Sequence, residues 1–329
     1  MMGARHPRRK ALGLTAVACL TSLIGLSGVA GAAPGTQATD GPIVVTEQAS
    51  DRILVLEADQ AAWDAPRFLW SWKPTRDNGM GEFTGNWGNP DEAKLVERGG
   101  RRYLLTTDSK GLAAVVPYPQ GTGSYWAADV DARNNPHSIE LLPDGNVAVA
   151  ASTGGWIRVY TASQGPRSTH HAEYPMPGGH GVVWDGERGV LWALGDDHLV
   201  VLTIGGTVAD PVLTETRKVA LPTRHGHDLT PVPGNADLLW VSTGTRVYQY
   251  SKSRNAFLDD YPGAGRIDRE GVKTVGSDPS TGRVLSTSPQ PGHTCTWCTE
   301  TVQLEQAAGA LTLEDAGIYK ARWWFATSR

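Results

Sequence analysis

Three histidines of this 329-residue chain, His137, His180 and His227, are separated by 43 and 47 residues. Asp91 precedes the first by 46 residues, and Glu270 follows the last by 43. Gathered in space, imidazole nitrogens and carboxylate oxygens can hold a divalent ion: Zn, Mn or Fe, or Ca on an oxygen-rich subset. The same groups can move protons with no metal present. Three positions beyond the members of this series stand Lys94, Glu140, Lys273 and Lys320, with Tyr319 beside the last. The competing reading is a polar wall filled with water.

Residues this far apart meet only if a repeating fold brings them together. Short apolar runs ending in small or hydroxyl residues recur at Ile43–Thr46, Tyr103–Thr107, Val147–Ser152, Val190–Gly195, Leu238–Thr243 and Val284–Ser288. Each is followed by a second strand-like segment: Ile53–Leu56, Leu112–Val115, Ile157–Tyr160, Leu199–Leu202, Val247–Tyr250 and Thr301–Leu304. A third segment precedes five of them and opens at Asp91, His137, His180, His227 and Glu270. Its sixth copy opens at Gly317, at the far end of the chain, 47 residues beyond Glu270. Weaker outer strands run at 68–72, 171–174, 212–219 and 310–313.

This pattern predicts an all-β, six-bladed propeller, in which alternating side chains are buried between blades and closure removes exposed edges. The C-terminal strand through Ala321-Arg322-Trp323-Trp324 completes the blade begun at Ile43. A seven-bladed ring is the alternative, but it requires Lys73–Pro90, a short Gly-, Asn- and Asp-rich stretch, to hide a blade. The first strand of each blade lines the channel, so the Asp91–His137–His180–His227–Glu270–Gly317 series is expected at one mouth. His225, two residues before His227, can join it. Trp87, in the long loop Gly85-Asn86-Trp87-Gly88-Asn89-Pro90, is the candidate exposed platform.

Composition narrows the class further. The 39 Gly and 21 Pro mark many turns between short elements and argue against long helices. Residues 1–33 order a basic start, an apolar run and a small-residue end, the layout of an export signal. The net charge of −4 becomes −8 once Arg5, Arg8, Arg9 and Lys10 leave with that segment. Such a charge disfavours nucleic acid as a partner. No later run is long and apolar enough to span a bilayer. Residues 34–329 are therefore expected to form one secreted, monomeric propeller domain. Its two cysteines, Cys295 and Cys298, are expected to pair as a disulfide in an oxidising setting.

The motifs Trp87-Gly88-Asn89-Pro90, Asn135-Pro136-His137-Ser138, Gly179-His180-Gly181-Val182-Val183, His227-Asp228-Leu229-Thr230 and Tyr319-Lys320-Ala321-Arg322-Trp323-Trp324 carry a resemblance. The chain resembles a family of secreted actinobacterial propeller proteins of unknown function. More distantly it is similar to propeller polysaccharide lyases, which cleave uronate-containing glycans with His, Tyr and Arg groups at a channel mouth. That similarity implies β-elimination of an extracellular glycosyl-uronate. His180 or His227, with His137 beside them, would be the base and Tyr319 the acid. Lys94, Lys273, Lys320 and Arg269 would clamp the carboxylate, with Trp87 as a platform. His137, His180, His227, Asp91 and Glu270 would be the ligands of any Ca, Mn or Zn ion. Two other readings stay open: metal-assisted glycan hydrolysis by Asp91 or Glu270, and a non-catalytic carbohydrate- or protein-binding propeller.

Overall fold

The structure, a computed structural model, describes residues 39–305 and 309–328. The expected export segment, residues 1–33, lies outside the described residues. Six sheets succeed one another along the chain, each built on a four-stranded antiparallel meander. The inner strands are Pro90–Arg98, Pro136–Leu141, Gly181–Asp185, Asp228–Val232, Thr274–Ser277 and Ile318–Trp323. Each contacts the next, and Ile318–Trp323 contacts Pro90–Arg98 to close the ring. The protein is a six-bladed β-propeller.

Closure runs through the first blade, where the two ends of the fold share a sheet. Ile318–Trp323 pairs antiparallel with Ile43–Glu47, Trp323 opposite Ile43 and Ile318 opposite Glu47. Beyond Trp323 the expected single strand breaks. Ala326–Ser328 crosses to the second blade and pairs in parallel with Pro90–Arg98, with Ala326 opposite Leu95. Residues 73–89 contain a 3-10 helix, Gly81–Asn86, and no strand, so no seventh blade is hidden there.

Strand alternation explains why these residues make blades. Successive side chains point to opposite faces of a strand. In the first blade, Ile43, Val45, Leu54 and Leu56 pack towards the sixth blade, and Val44, Ile53 and Val55 towards the second. The pattern repeats round the ring and yields six apolar clusters, one at each blade–blade interface. Fully burying one such side chain is worth about 1.5–3 kcal/mol, and no blade can do it alone. Trp192 and Trp240 fill equivalent interface positions, and their indole N–H groups donate to Asp185 and Ser277.

A chain ending at Gly317 lacks the inner strand of the first blade and exposes two of these interfaces. It is expected to lose the cooperative unfolding transition in a denaturant titration. A truncated chain that unfolds cooperatively at the full-length midpoint would contradict the closure described here.

Candidate functional site

The inner strands all start at one end of the channel, and that end collects the titratable groups. The His137 and His180 rings lie 4.5 Å apart, centroid to centroid, and His180 and His227 5.1 Å apart. Tyr319 meets His137 edge-on at 5.8 Å. Lys273 Nζ donates to His227 Nε2 at 3.0 Å, and His137 Nε2 lies 4.0 Å from Asp91. The ring at the mouth is thus Asp91, His137, His180, His227, Lys273 and Tyr319. Its last two members differ from the expected Glu270 and Gly317. Gly271 turns the chain at φ +73° and the strand begins only at Thr274, leaving Glu270 exposed in the preceding turn.

Local geometry fixes the proton on each imidazole. His137 Nδ1 faces the carbonyl of Asn135 at 2.9 Å, and His180 Nδ1 that of Gly178 at 2.7 Å. A carbonyl only accepts, so both rings carry hydrogen on Nδ1 and keep the Nε2 lone pair. His227 accepts from Lys273 at Nε2, which assigns its hydrogen to a buried Nδ1 with no partner.

The charge state follows from burial and from the cations below. Burial first, with Lys320 and Lys273 adding to it, pushes His180 down to about 4 against the Gly178 hydrogen bond. Burial, Lys273 and His180 bring His227 to about 2. His137 is also driven well below its ordinary value, chiefly by burial and by His180. Burial and then Lys320 lower Lys273 to about 8. Tyr319 moves well above 10 through burial and nearby carboxylates, so it stays a phenol that can donate. Burial and Asp108 raise Asp91. At neutral pH the mouth presents three uncharged imidazoles beside one ammonium.

Beneath it lies a layer that the histidine series does not announce. Arg322 donates from Nε and Nη2 to Glu92 at 2.6 and 2.8 Å and from Nη1 and Nη2 to Asp228 at 3.2 and 2.7 Å. Lys320 Nζ sits 3.9 Å from Glu92 and 3.6 Å from Asp228, and Lys94 Nζ lies 3.9 Å from Glu92 and 3.8 Å from Glu140. Burial alone would raise Glu92, but Arg322, Lys320 and Lys94 outweigh it and hold the carboxyl well below its usual range. A charged residue inside an apolar stretch such as Ala321-Arg322-Trp323 is the signal that could have revealed this layer, since buried charges need partners.

Several expected site residues therefore have other places. Lys320 is 1% exposed and Lys94 donates to Ser138, Ile139 and Val182, so both hold the channel wall. Arg269 binds Glu305 and Ser286 in the sixth blade. Trp87 is not a platform: it is 7% exposed, donates to the Asp51 carbonyl and packs edge-on against Trp72. His225 is exposed, 3.7 Å from Asp196.

The metal expectation meets a geometric obstacle. Among the described residues, only His293, Cys295 and Cys298 bring three His, Cys, Asp or Glu ligand atoms within 4.8 Å of one another. Those two sulfurs are joined in a disulfide, as the sequence leads one to expect. The loop that carries them lies at the His-bearing end, since Thr287 and Thr299 at its ends hydrogen-bond the backbone of Tyr319 and Ile318.

Replacing Arg322 with Met leaves Glu92 and Asp228 buried without their main counter-ion. The loss is expected to be about 3–5 kcal/mol by denaturant unfolding, the scale for breaking a buried pair from one side. A loss below about 1 kcal/mol would mean that the layer is solvated.

No curated protein matches the chain in sequence. Among solved structures it is similar to a protein of unknown function from Bacteroides caccae (TM-score 0.54, 12% identity, covering 86% of this chain and 98% of that one). It is also similar to a chain of the mitotic checkpoint complex (TM-score 0.51, 11% identity, 87% and 79% covered). A third likeness is to catalytically inactive virginiamycin B lyase from Staphylococcus aureus with quinupristin (TM-score 0.47, 15% identity, 77% and 75% covered). At such identities the likeness is one of fold. A family model matches residues 29–328, and the chain belongs to that family of unknown function, DUF6528.

Proposed function

We propose that the chain is a secreted, carbohydrate-active propeller whose histidine mouth cleaves a glycosyl-uronate linkage by β-elimination. The observation that carries this reading is His180: a neutral imidazole, oriented by Gly178 so that Nε2 keeps its lone pair, in the field of the Lys273 ammonium. The basic, apolar and small-residue order of residues 1–33 supports export. Among the described residues no helix is long and apolar enough to cross a membrane.

In this reaction Lys273 pairs with the uronate carboxylate and stabilises the charge that develops as the C5 proton leaves. His180 Nε2 takes that proton. The C–H electrons form the C4–C5 double bond, the C4–O bond breaks, and Tyr319 gives its proton to the departing oxygen. An imidazole near 4 is a weak base in the free protein, but the arriving carboxylate favours its protonated form and raises it. His137 and His227 hold the ring in place from either side. No step is routed through a divalent ion.

The weakness of that base is also the one observation favouring a lectin-like module. Hydrolysis by paired carboxylates loses ground because Glu270 stands apart from Asp91 in an exposed turn.

Mature protein mixed with glycosyl-uronate polysaccharides is expected to release an unsaturated uronate, read by its ultraviolet absorbance. His180→Ala should lower kcat by about 10²–10⁴-fold with the fold intact. The pH profile of kcat/KM should fall as pH rises through about 8, where Lys273 loses its charge, and again as it drops through about 4, where His180 gains one. New reducing ends without the ultraviolet signal would select hydrolysis. Saturable binding without product would select the lectin-like module.

A further inference from the structure

The loop between the second and third strands of the sixth blade, residues 288–300, adjoins the histidine mouth, and the proposed reaction does not use it. Both of its ends are tied to that mouth. At its start the Thr287 carbonyl accepts from the Lys273 N–H at 2.8 Å, and the Thr287 hydroxyl donates to the Tyr319 carbonyl at 3.0 Å. At its end Thr299 exchanges two backbone hydrogen bonds with Ile318, at 3.0 and 2.8 Å. Between them Cys295 and Cys298 are joined, and His293 Nε2 donates to the Ala316 carbonyl at 2.9 Å.

Inside the disulfide stands Trp297, 48% exposed. The other exposed large apolar side chains, Phe68, Leu69, Val208 and Val212, belong to outer strands or the turns beside them. A single exposed apolar side chain is ordinary. Trp297 differs because its ring is held in place. Its indole N–H donates to Gln48 Oε1 at 2.9 Å, and Gln48 Nε2 donates to the Pro90 carbonyl at 3.1 Å. Pro90 precedes Asp91, which lies 4.0 Å from His137 Nε2. The contacts thus run from the indole, across the first blade, to the ring of groups at the mouth.

A ring oriented in advance spares a ligand the cost of ordering that side chain. The face of an indole is the negative side of its quadrupole and attracts positively polarised edges. The C–H bonds on one face of a pyranose are such an edge. Charge decides which pyranose fits. Residues 288–300 contain no Lys or Arg and one carboxylate, Glu300, so nothing in the loop favours an anion. The uronate belongs at Lys273, and the sugar on Trp297 is an uncharged one.

Resting on the reading of the mouth as a glycan site, we propose that Trp297 is a stacking platform for an uncharged pyranose next to the uronate. The glycan class is then one in which neutral sugars separate the uronates, and polyuronates are poor ligands.

Two probes of equal length test this by calorimetric titration of the full chain. In hyaluronan oligosaccharides an uncharged sugar separates successive uronates; in galacturonate oligosaccharides none does. Wild type is expected to bind the hyaluronan probe about 3–10-fold more tightly, the scale of one aromatic contact. Trp297→Ala should erase that preference by weakening the hyaluronan probe alone, with the unfolding midpoint unchanged. Trp297→Phe, which keeps a ring but not the N–H, should recover most of the preference. Release of unsaturated uronate is read separately. Binding that depends on Trp297 without that product upholds the platform and overturns the elimination. Product formed equally well by wild type and Trp297→Ala overturns the platform and upholds the elimination. The platform is also overturned if wild type binds neither probe, binds both equally or prefers the galacturonate.

Discussion

Closing a ring of six blades forces six inner strands to face one another across a narrow channel. What they place there is a buried balance of charge: Arg322, Lys320 and Lys94 against Glu92, Asp228 and Glu140. Arg322 belongs to the first blade, Glu92 to the second and Asp228 to the fifth, so its two ion pairs reach across the channel as well as along the ring. Such a cluster gives little net stability over an apolar core, because desolvation offsets most of the Coulomb attraction. Its effect is selective. A ring that closes in another register leaves one of these charges buried and unpaired.

The same layer sets the chemistry of both mouths. Towards the inner-strand starts, Lys320 adds its field to burial and keeps His137, His180 and His227 uncharged. The backbone carbonyls of Asn135 and Gly178 then choose the tautomer, leaving Nε2 as the acceptor on two of the rings. Towards the strand ends, the cations are held mostly by partners within the protein, and the remaining wall is largely apolar. One channel thus has a basic, proton-accepting end and a neutral, greasy one.

Much of this was legible in the sequence, because the repeat carries its own phase. Six strand pairs and the His137, His180 and His227 series located the blades, the closure and one mouth. The phase slipped where the backbone departs from the repeat. Gly271 inserts a turn, so Lys273 takes the place expected for Glu270, and in the first blade Tyr319 takes that of Gly317. Trp87 misled for a related reason: its Gly-, Asn- and Pro-rich neighbours look exposed in sequence, while the indole, with Met80 and Phe83, packs into the interface between the first two blades. Arg322 carried no repeat signal. Only the need of a buried guanidinium for partners points to Glu92 and Asp228, and those partners are distant in sequence. The Ala326–Ser328 strand is too short for any pattern to reveal.

The account rests most directly on the neutrality and tautomer of the mouth histidines. Long-range proton–nitrogen NMR of imidazole-labelled protein, titrated downward from neutral pH, reads both at once. His180 is predicted to show the Nδ1–H tautomer and to remain unprotonated until the pH approaches about 4. An imidazole that titrates at the ordinary value of 6.5, or one with its hydrogen on Nε2, would contradict the account.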